Sequence, residues 1–149
     1  MQTFLPYPGF AASARVLDYR RLGKQRVETY QLIRAINGET KGWVNHPAAV
    51  MWRQYVPALH MYGRAMCEEW IARGYKDTML DRFKYHETFE YPYWLGVFAF
   101  HRSHQSNLLR KDREYYSEFF EVPDDLEYEW FPELPVSSKN HLTHFTPLR

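Results

Sequence analysis

Asp18-Tyr19-Arg20-Arg21-Leu22-Gly23-Lys24-Gln25-Arg26-Val27-Glu28 opens the stretch that decides the fold, which continues to Asn37 and Gly38. Leu22, Val27, Tyr30, Ile33 and Ile36 recur at intervals of three or more, a helical spacing and not the alternation of a strand. A helix is therefore predicted from about Asp18 to Asn37, with Gly38 as its stop. Gly23 costs roughly 1 kcal/mol relative to Ala inside a helix. Either the helix begins near it, or the backbone approaches something closely there. Arg20, Arg21 and Lys24 share a helical face, while Arg26 is turned from it by more than a right angle. Only Asp18 and Glu28 stand near enough to neutralise Arg15, Arg20, Arg21, Lys24 and Arg26. The sign alternation of an ordinary solvated helix is missing, which favours a phosphate backbone as partner.

Outward from this helix, Pro6, Pro8 and Gly9 make Met1 to Phe10 extended or turned. On the other side, a loop from Gly38 to Asn45 leads into Asn45-His46-Pro47, which has the form of a helix start with proline at its first position. A long helix is predicted from about Pro47 to Arg73, with Val50, Tyr55, Leu59, Tyr62, Met66 and Trp70 on one stripe and Gly74 ending it. Pro57 must kink or break it. A third helix runs from Tyr93 or Gly96 to Lys111, and the segment from Val122 to Arg149 has prolines at 123, 132, 135 and 147 and no periodicity. The predicted fold is all-α: one compact domain of about three main helices, with an extended N-terminal segment and an irregular C-terminal tail. Residues 1–120 form the helical domain, and 121–149 a Pro-rich acidic wrap that is not a separate domain.

A chain of 149 residues can bury a core without staples. Its single cysteine, Cys67, excludes an internal disulfide and a four-cysteine zinc site. It lacks an apolar run of membrane-spanning length and a basic-then-apolar leader, so a soluble cytoplasmic protein is expected, without a membrane partner. The net charge of +1 conceals an asymmetry: up to Arg113 there are 17 Lys/Arg against 10 Asp/Glu, and beyond it 2 against 8. The basic body points to nucleic acid. Twelve tyrosines and five tryptophans offer flat faces for bases, although most must serve the core.

Three further groups of residues carry chemistry. Asn45 can cap the helix that begins at Pro47, and His46 beside the positive end of that helix suits holding a phosphate or giving a proton. His101 and His104, three residues apart with Arg102 and Gln105 adjacent, fit contact with an anion or a base, or equally a partly buried polar seam. No HExxH pattern or matching carboxylate accompanies them, so neither a metal nor any other cofactor is expected.

Four segments together resemble the pyrimidine dimer DNA glycosylases of the phage endonuclease V type, in particular a bacterial and phage branch that opens Met-Gln-Thr-Phe-Leu-Pro. They are Tyr19-Arg20 through Arg26-Val27; Asn45-His46-Pro47; Ala72-Arg73-Gly74-Tyr75-Lys76-Asp77-Thr78; and His101 to Tyr116. The resemblance implies a helical fold whose N-terminus threads between helices, and excision of damaged or modified pyrimidines such as UV dimers from double-stranded DNA. It also implies an α-amino nucleophile that attacks C1′ and forms a Schiff base, assisted by a helix carboxylate, with arginines holding the phosphates. An α-amine titrates near pH 8, which makes its neutral form available.

This chain departs from that pattern at two points. Gln2 is bulky, so Met1 is expected to remain and to supply the amine, unless Lys24 does. Arg21 stands where the family carries its carboxylate, so Glu28 or Asp18 takes the role. The candidate catalytic residues are thus Met1, Glu28, Lys24 and His46, and the candidate DNA contacts Arg20, Arg21, Arg26, Asn45, His101, Arg102 and His104. A monomer is expected. A hydrolytic glycosylase, a non-catalytic module for distorted DNA and a nucleoside- or nucleotide-processing enzyme are the alternatives.

Overall fold

The computed structural model describes residues 1–135. Among them are six helices and one 3-10 turn, and no strand: α1 (Phe10–Val16), α2 (Tyr19–Ile36), α3 (Pro47–Trp52), α4 (Val56–Ala72), the turn Leu80–Arg82, α5 (Phe98–Lys111) and α6 (Arg113–Tyr116). The protein is all-α, and none of these helices is long and apolar enough to cross a membrane.

Asp18 caps α2 by accepting from the Arg21 backbone N–H. At the other end Gly38 takes φ +80°, while the Gly38 and Glu39 amides return to the carbonyls of Ala35 and Arg34. The helix runs straight through Gly23. A Cβ at that position would lie 3.1 Å from the Trp70 ring of α4, so the glycine permits a close approach of the two helices.

The helix predicted over Pro47 to Arg73, with a kink or break at Pro57, is broken into two helices separated at residues 53–55. Pro57 falls in the first turn of α4, where its missing N–H leaves no intrahelical bond unmade. His46, not Asn45, caps α3: its Nδ1 accepts the Ala48 N–H at 3.0 Å, and Asn45 is exposed. The short α1 has no counterpart among the predicted elements. Its last turn is held from outside by Arg73, whose guanidinium donates to the carbonyls of Ala14, Arg15 and Leu17.

Helix α4 lies against both α1 and α2. It contributes Leu59, Tyr62, Met66 and Cys67 to a core completed by Leu22 and Leu32, Trp52, Trp94 and Phe100. Gly63 belongs to the same packing, since a Cβ there would overlap the Phe83 ring. Burial pushes the Cys67 thiol up to about 12, so it is an inert core group. Beyond α6 the chain crosses α5 without regular structure. The Leu126 amide donates to Ser106 Oγ at 3.0 Å and the Glu129 amide to Ser103 Oγ at 3.2 Å, while Gln54 bonds both polar atoms of the Leu134 backbone. The rest of the expected wrap, including Phe145 and Pro147, lies outside the described residues.

Candidate active site

Residues 2–6 have no secondary structure, yet Gln2, Thr3, Phe4 and Leu5 are all buried. A buried extended segment must find partners for its backbone, and here side chains from three helices supply them. Gln25 of α2 behaves like a neighbouring strand. Its Oε1 accepts the Phe4 N–H at 3.2 Å, and its Nε2 donates to the Gln2 carbonyl at 2.7 Å. The Tyr62 hydroxyl lies 2.8 Å from the Phe4 carbonyl and 2.6 Å from Gln25 Oε1, with one proton to give to either. Trp52 Nε1 donates to Thr3 Oγ1 at 2.8 Å.

The third helix is α5, and its two histidines serve this clamp. His104 Nδ1 accepts the Leu5 N–H at 2.9 Å. His101 Nε2 accepts the Gly96 N–H at 2.8 Å, which leaves the proton on Nδ1 to be donated to the Leu5 carbonyl at 2.7 Å. Gln105 adds a bond to the Pro6 carbonyl. Burial lowers the pKa of both imidazoles, that of His104 to about 3. Neutral rings are what the clamp needs, because each must accept a backbone N–H. His101 and His104 therefore face the N-terminal segment inside the molecule, 5% and 0% exposed, and not a surface that DNA could reach. The sequence pattern allowed a polar seam, and that is the arrangement found.

Arg26 is likewise used internally. Its guanidinium pairs with Asp77, lies 4.3 Å from the centre of the Trp70 ring, and is 12% exposed. Asp77 also accepts from the Met79 and Leu80 amides. Burial pushes the Asp77 carboxyl up, but those bonds and Arg26 outweigh it and hold the carboxyl below its ordinary value. The Arg-Gly-Tyr-Lys-Asp segment is thus a structural joint between α2 and α4. Asp18 is committed in the same way, to Arg21 and the Tyr116 hydroxyl, and is no candidate for a free catalytic carboxylate.

The clamp brings residue 1 to the mouth of a cavity of about 410 Å³, bordered by Met1, Gln2, Arg20, Lys24, Glu28 and Lys111 among others. Three of the four expected catalytic residues, Met1, Lys24 and Glu28, meet here with two of the expected DNA contacts, Arg20 and Arg21. Lys24 Nζ stands 3.5 Å from Glu28 Oε1. Arg20 makes no ion pair among the described residues, whereas Arg21 is joined to Asp18. Gln2 borders the cavity, and its Nε2 is buried without a partner among the described residues.

His46 does not border the cavity but stands close to it. Its pKa is lowered by burial and then by the positive charge of the chain's N-terminus. With Nδ1 accepting from Ala48, its proton sits on Nε2. Arg102 lies elsewhere, over Phe98 beside the 125–129 segment. Gln25, Lys111 and Tyr128, which also border the cavity, were not among the sequence candidates. Lys111 and Tyr128 come from remote parts of the chain, and no spacing rule connects them to α2.

Among the described residues, no group of three or more His, Cys, Asp or Glu side chains is arranged to hold a metal ion. The cavity can offer an amine, one carboxylate and several cations to an anionic substrate. No curated protein and no solved structure matches the chain. A family model described as pyrimidine dimer DNA glycosylase matches residues 1–83, a span that carries the clamp glutamine, the α2 cations, Glu28 and His46.

Proposed function

The chain belongs to the pyrimidine dimer DNA glycosylase family, and from that premise we propose that it excises damaged pyrimidines from duplex DNA by attack of an amine in the cavity beside Glu28. The observation that carries this reading is the meeting of Met1, Lys24 and Glu28 around one opening, with Arg20 and Lys111 beside them. An excision site needs a nucleophile, a group to move protons and cations for the phosphates. Each is present within one cavity.

In the proposed reaction the neutral α-amine of residue 1 forms a bond to C1′ as the bond from C1′ to the base breaks. The departing base takes a proton from water. Glu28, as a carboxylate, accepts the proton that the new ammonium loses and returns it to the sugar ring oxygen as the ring opens, leaving an iminium. Loss of a C2′ proton from that iminium then expels the 3′ phosphate, which is the lyase step. Arg20, Lys24 and Lys111 hold the flanking phosphates, and the Nε2 proton of His46 is a donor to the same backbone. Base extrusion is required, because C1′ is not open to in-line attack within a stacked duplex.

Lys24 is the second candidate nucleophile, since its amine borders the same cavity and its side chain is 75% exposed. The proposed protein acts as a monomer in the cytoplasm. Excision from UV-irradiated duplex by Glu28→Gln tests the assignment. The rate of glycosidic-bond cleavage should fall by about 100-fold or more with DNA affinity retained, and an unchanged rate would remove Glu28 from the mechanism.

A further inference from the structure

A second cavity, of about 280 Å³, is bordered by Gln31, Arg34, Thr40, Gly42 and Trp43. It adjoins the same ridge of α2 as the reaction cavity. At about 100° per residue, Arg20, Lys24, Gln31 and Arg34 fall within roughly 80° of one another around the helix, and Arg34 lies about 15 Å along it from Lys24. That distance corresponds to about four base steps of a duplex.

Trp43 combines a left-handed backbone with an exposed side chain. It is the sole non-glycine residue with positive φ among the described residues, at +65°, and it is 36% exposed. A bulky residue in the left-handed region is strained, and Gly42 beside it would take that conformation without penalty. The turn is fixed by the His46 amide on the Trp43 carbonyl at 3.1 Å and by Arg53 on the Val44 carbonyl at 3.3 Å. Trp43 is not among the buried core residues, and its strained backbone holds an indole at the rim of a cavity. Arg34 makes no ion pair among the described residues. An indole face, an amide and a guanidinium are what a nucleobase and its phosphate require of a protein.

We propose that Trp43, with Gln31 and Arg34, forms a nucleobase subsite that holds a base of the DNA strand flanking the reaction cavity. Trp43 stacks on the base, Gln31 and Thr40 meet its polar edge, and Arg34 holds the adjoining phosphate. The identity of the ligand as DNA rests on the excision reading above, while the subsite itself rests on the cavity and its strained tryptophan.

The test uses lesion-containing duplexes with a single 2-aminopurine at successive positions on either side of the lesion. On binding the wild-type protein, the emission at one position should change, and that change should be absent with Trp43→Ala. The same variant should bind duplex about five- to 100-fold more weakly, with Trp43→Phe restoring most of the loss and Arg34→Ala lowering the salt slope by about one contact. In excision assays Trp43→Ala should raise KM and leave kcat. Affinity like that of the wild type, or no position at which the two proteins differ, would overturn the proposal. So would quenching of tryptophan emission by adenosine monophosphate that is lost in Trp43→Ala, with no effect of that variant on duplex binding, which would assign the subsite to a free nucleotide. Excision read in the same samples keeps the two readings apart: position-dependent binding without any excision sinks the glycosylase reading alone.

Discussion

Arg20 and Arg26 stand on the same helix, one turned to the cavity and the other folded into a joint with Asp77 and Trp70. Their replacements should separate cleanly. Arg26→Ala leaves the nearly buried Asp77 carboxylate without its partner and should lower unfolding free energy by about 3 kcal/mol in urea titrations. The salt dependence of DNA binding should stay as it was. Arg20→Ala should leave stability within about 0.5 kcal/mol and reduce the slope of log affinity against log salt by about 0.9. If Arg26→Ala also flattens that slope, the arginine touches DNA and its joint is secondary. Gln25 is a third kind of residue, one that positions another. Gln25→Ala removes two bonds to buried backbone and should cost about 2 kcal/mol. Because it releases residue 1 from a fixed place, kcat for excision should fall while duplex affinity changes little, and equal loss of both would mean that Gln25 serves only the fold.

At the scale of elements, two glycines set how closely α4 can be approached. Gly63→Ala puts a methyl into the Phe83 ring and should destabilise by about 2 kcal/mol. Gly23→Ala gains helix propensity, but it presses on a Trp70 ring pinned by its bond to the Lys76 carbonyl and stacked against Tyr75. A smaller loss, about 1 kcal/mol, is expected there by thermal denaturation, and a stabilised variant would show that Trp70 can yield. These elements were unequally legible. The bounds of α2 follow from its apolar spacing with Asp18 and Gly38 as caps, and α5 from its run to Lys111. The break at residues 53–55 was signalled by Pro57 but not located, because proline is tolerated equally in a kink and in a first turn. The seven residues of α1 carry too few turns for a period, and an arginine 58 residues downstream holds its end. The cavity was half legible, since Arg20, Lys24 and Glu28 follow one another on a single helix. Lys111 arrives by tertiary packing, and the chemistry that suggested DNA contact for His101 and His104 serves equally well to clamp a backbone.

The whole molecule is organised around its threaded N-terminus, and its stability should report the clamp. His104, with its pKa lowered to about 3 by burial, and His101, lowered in the same direction, are neutral when folded. Once unfolded they take up protons below about pH 6.5. The unfolded state then binds more protons than the folded one, so stability is full above pH 6.5 and declines as pH falls. For His104 the decline approaches about 1.4 kcal/mol per pH unit down to about pH 3. Urea midpoints should drop from pH 7 to pH 5, and a constant midpoint over that range would mean that the rings are not held neutral. The purpose assigned to the clamp is to deliver an amine to the cavity beside Glu28, and one measurement addresses that directly. The protein is incubated with UV-irradiated and with abasic duplex in the presence of a hydride reductant, and any covalent adduct is mapped by peptide mass. An adduct on the α-amine of residue 1 is expected. An adduct on Lys24, or cleavage of the glycosidic bond with no adduct at all, would contradict it.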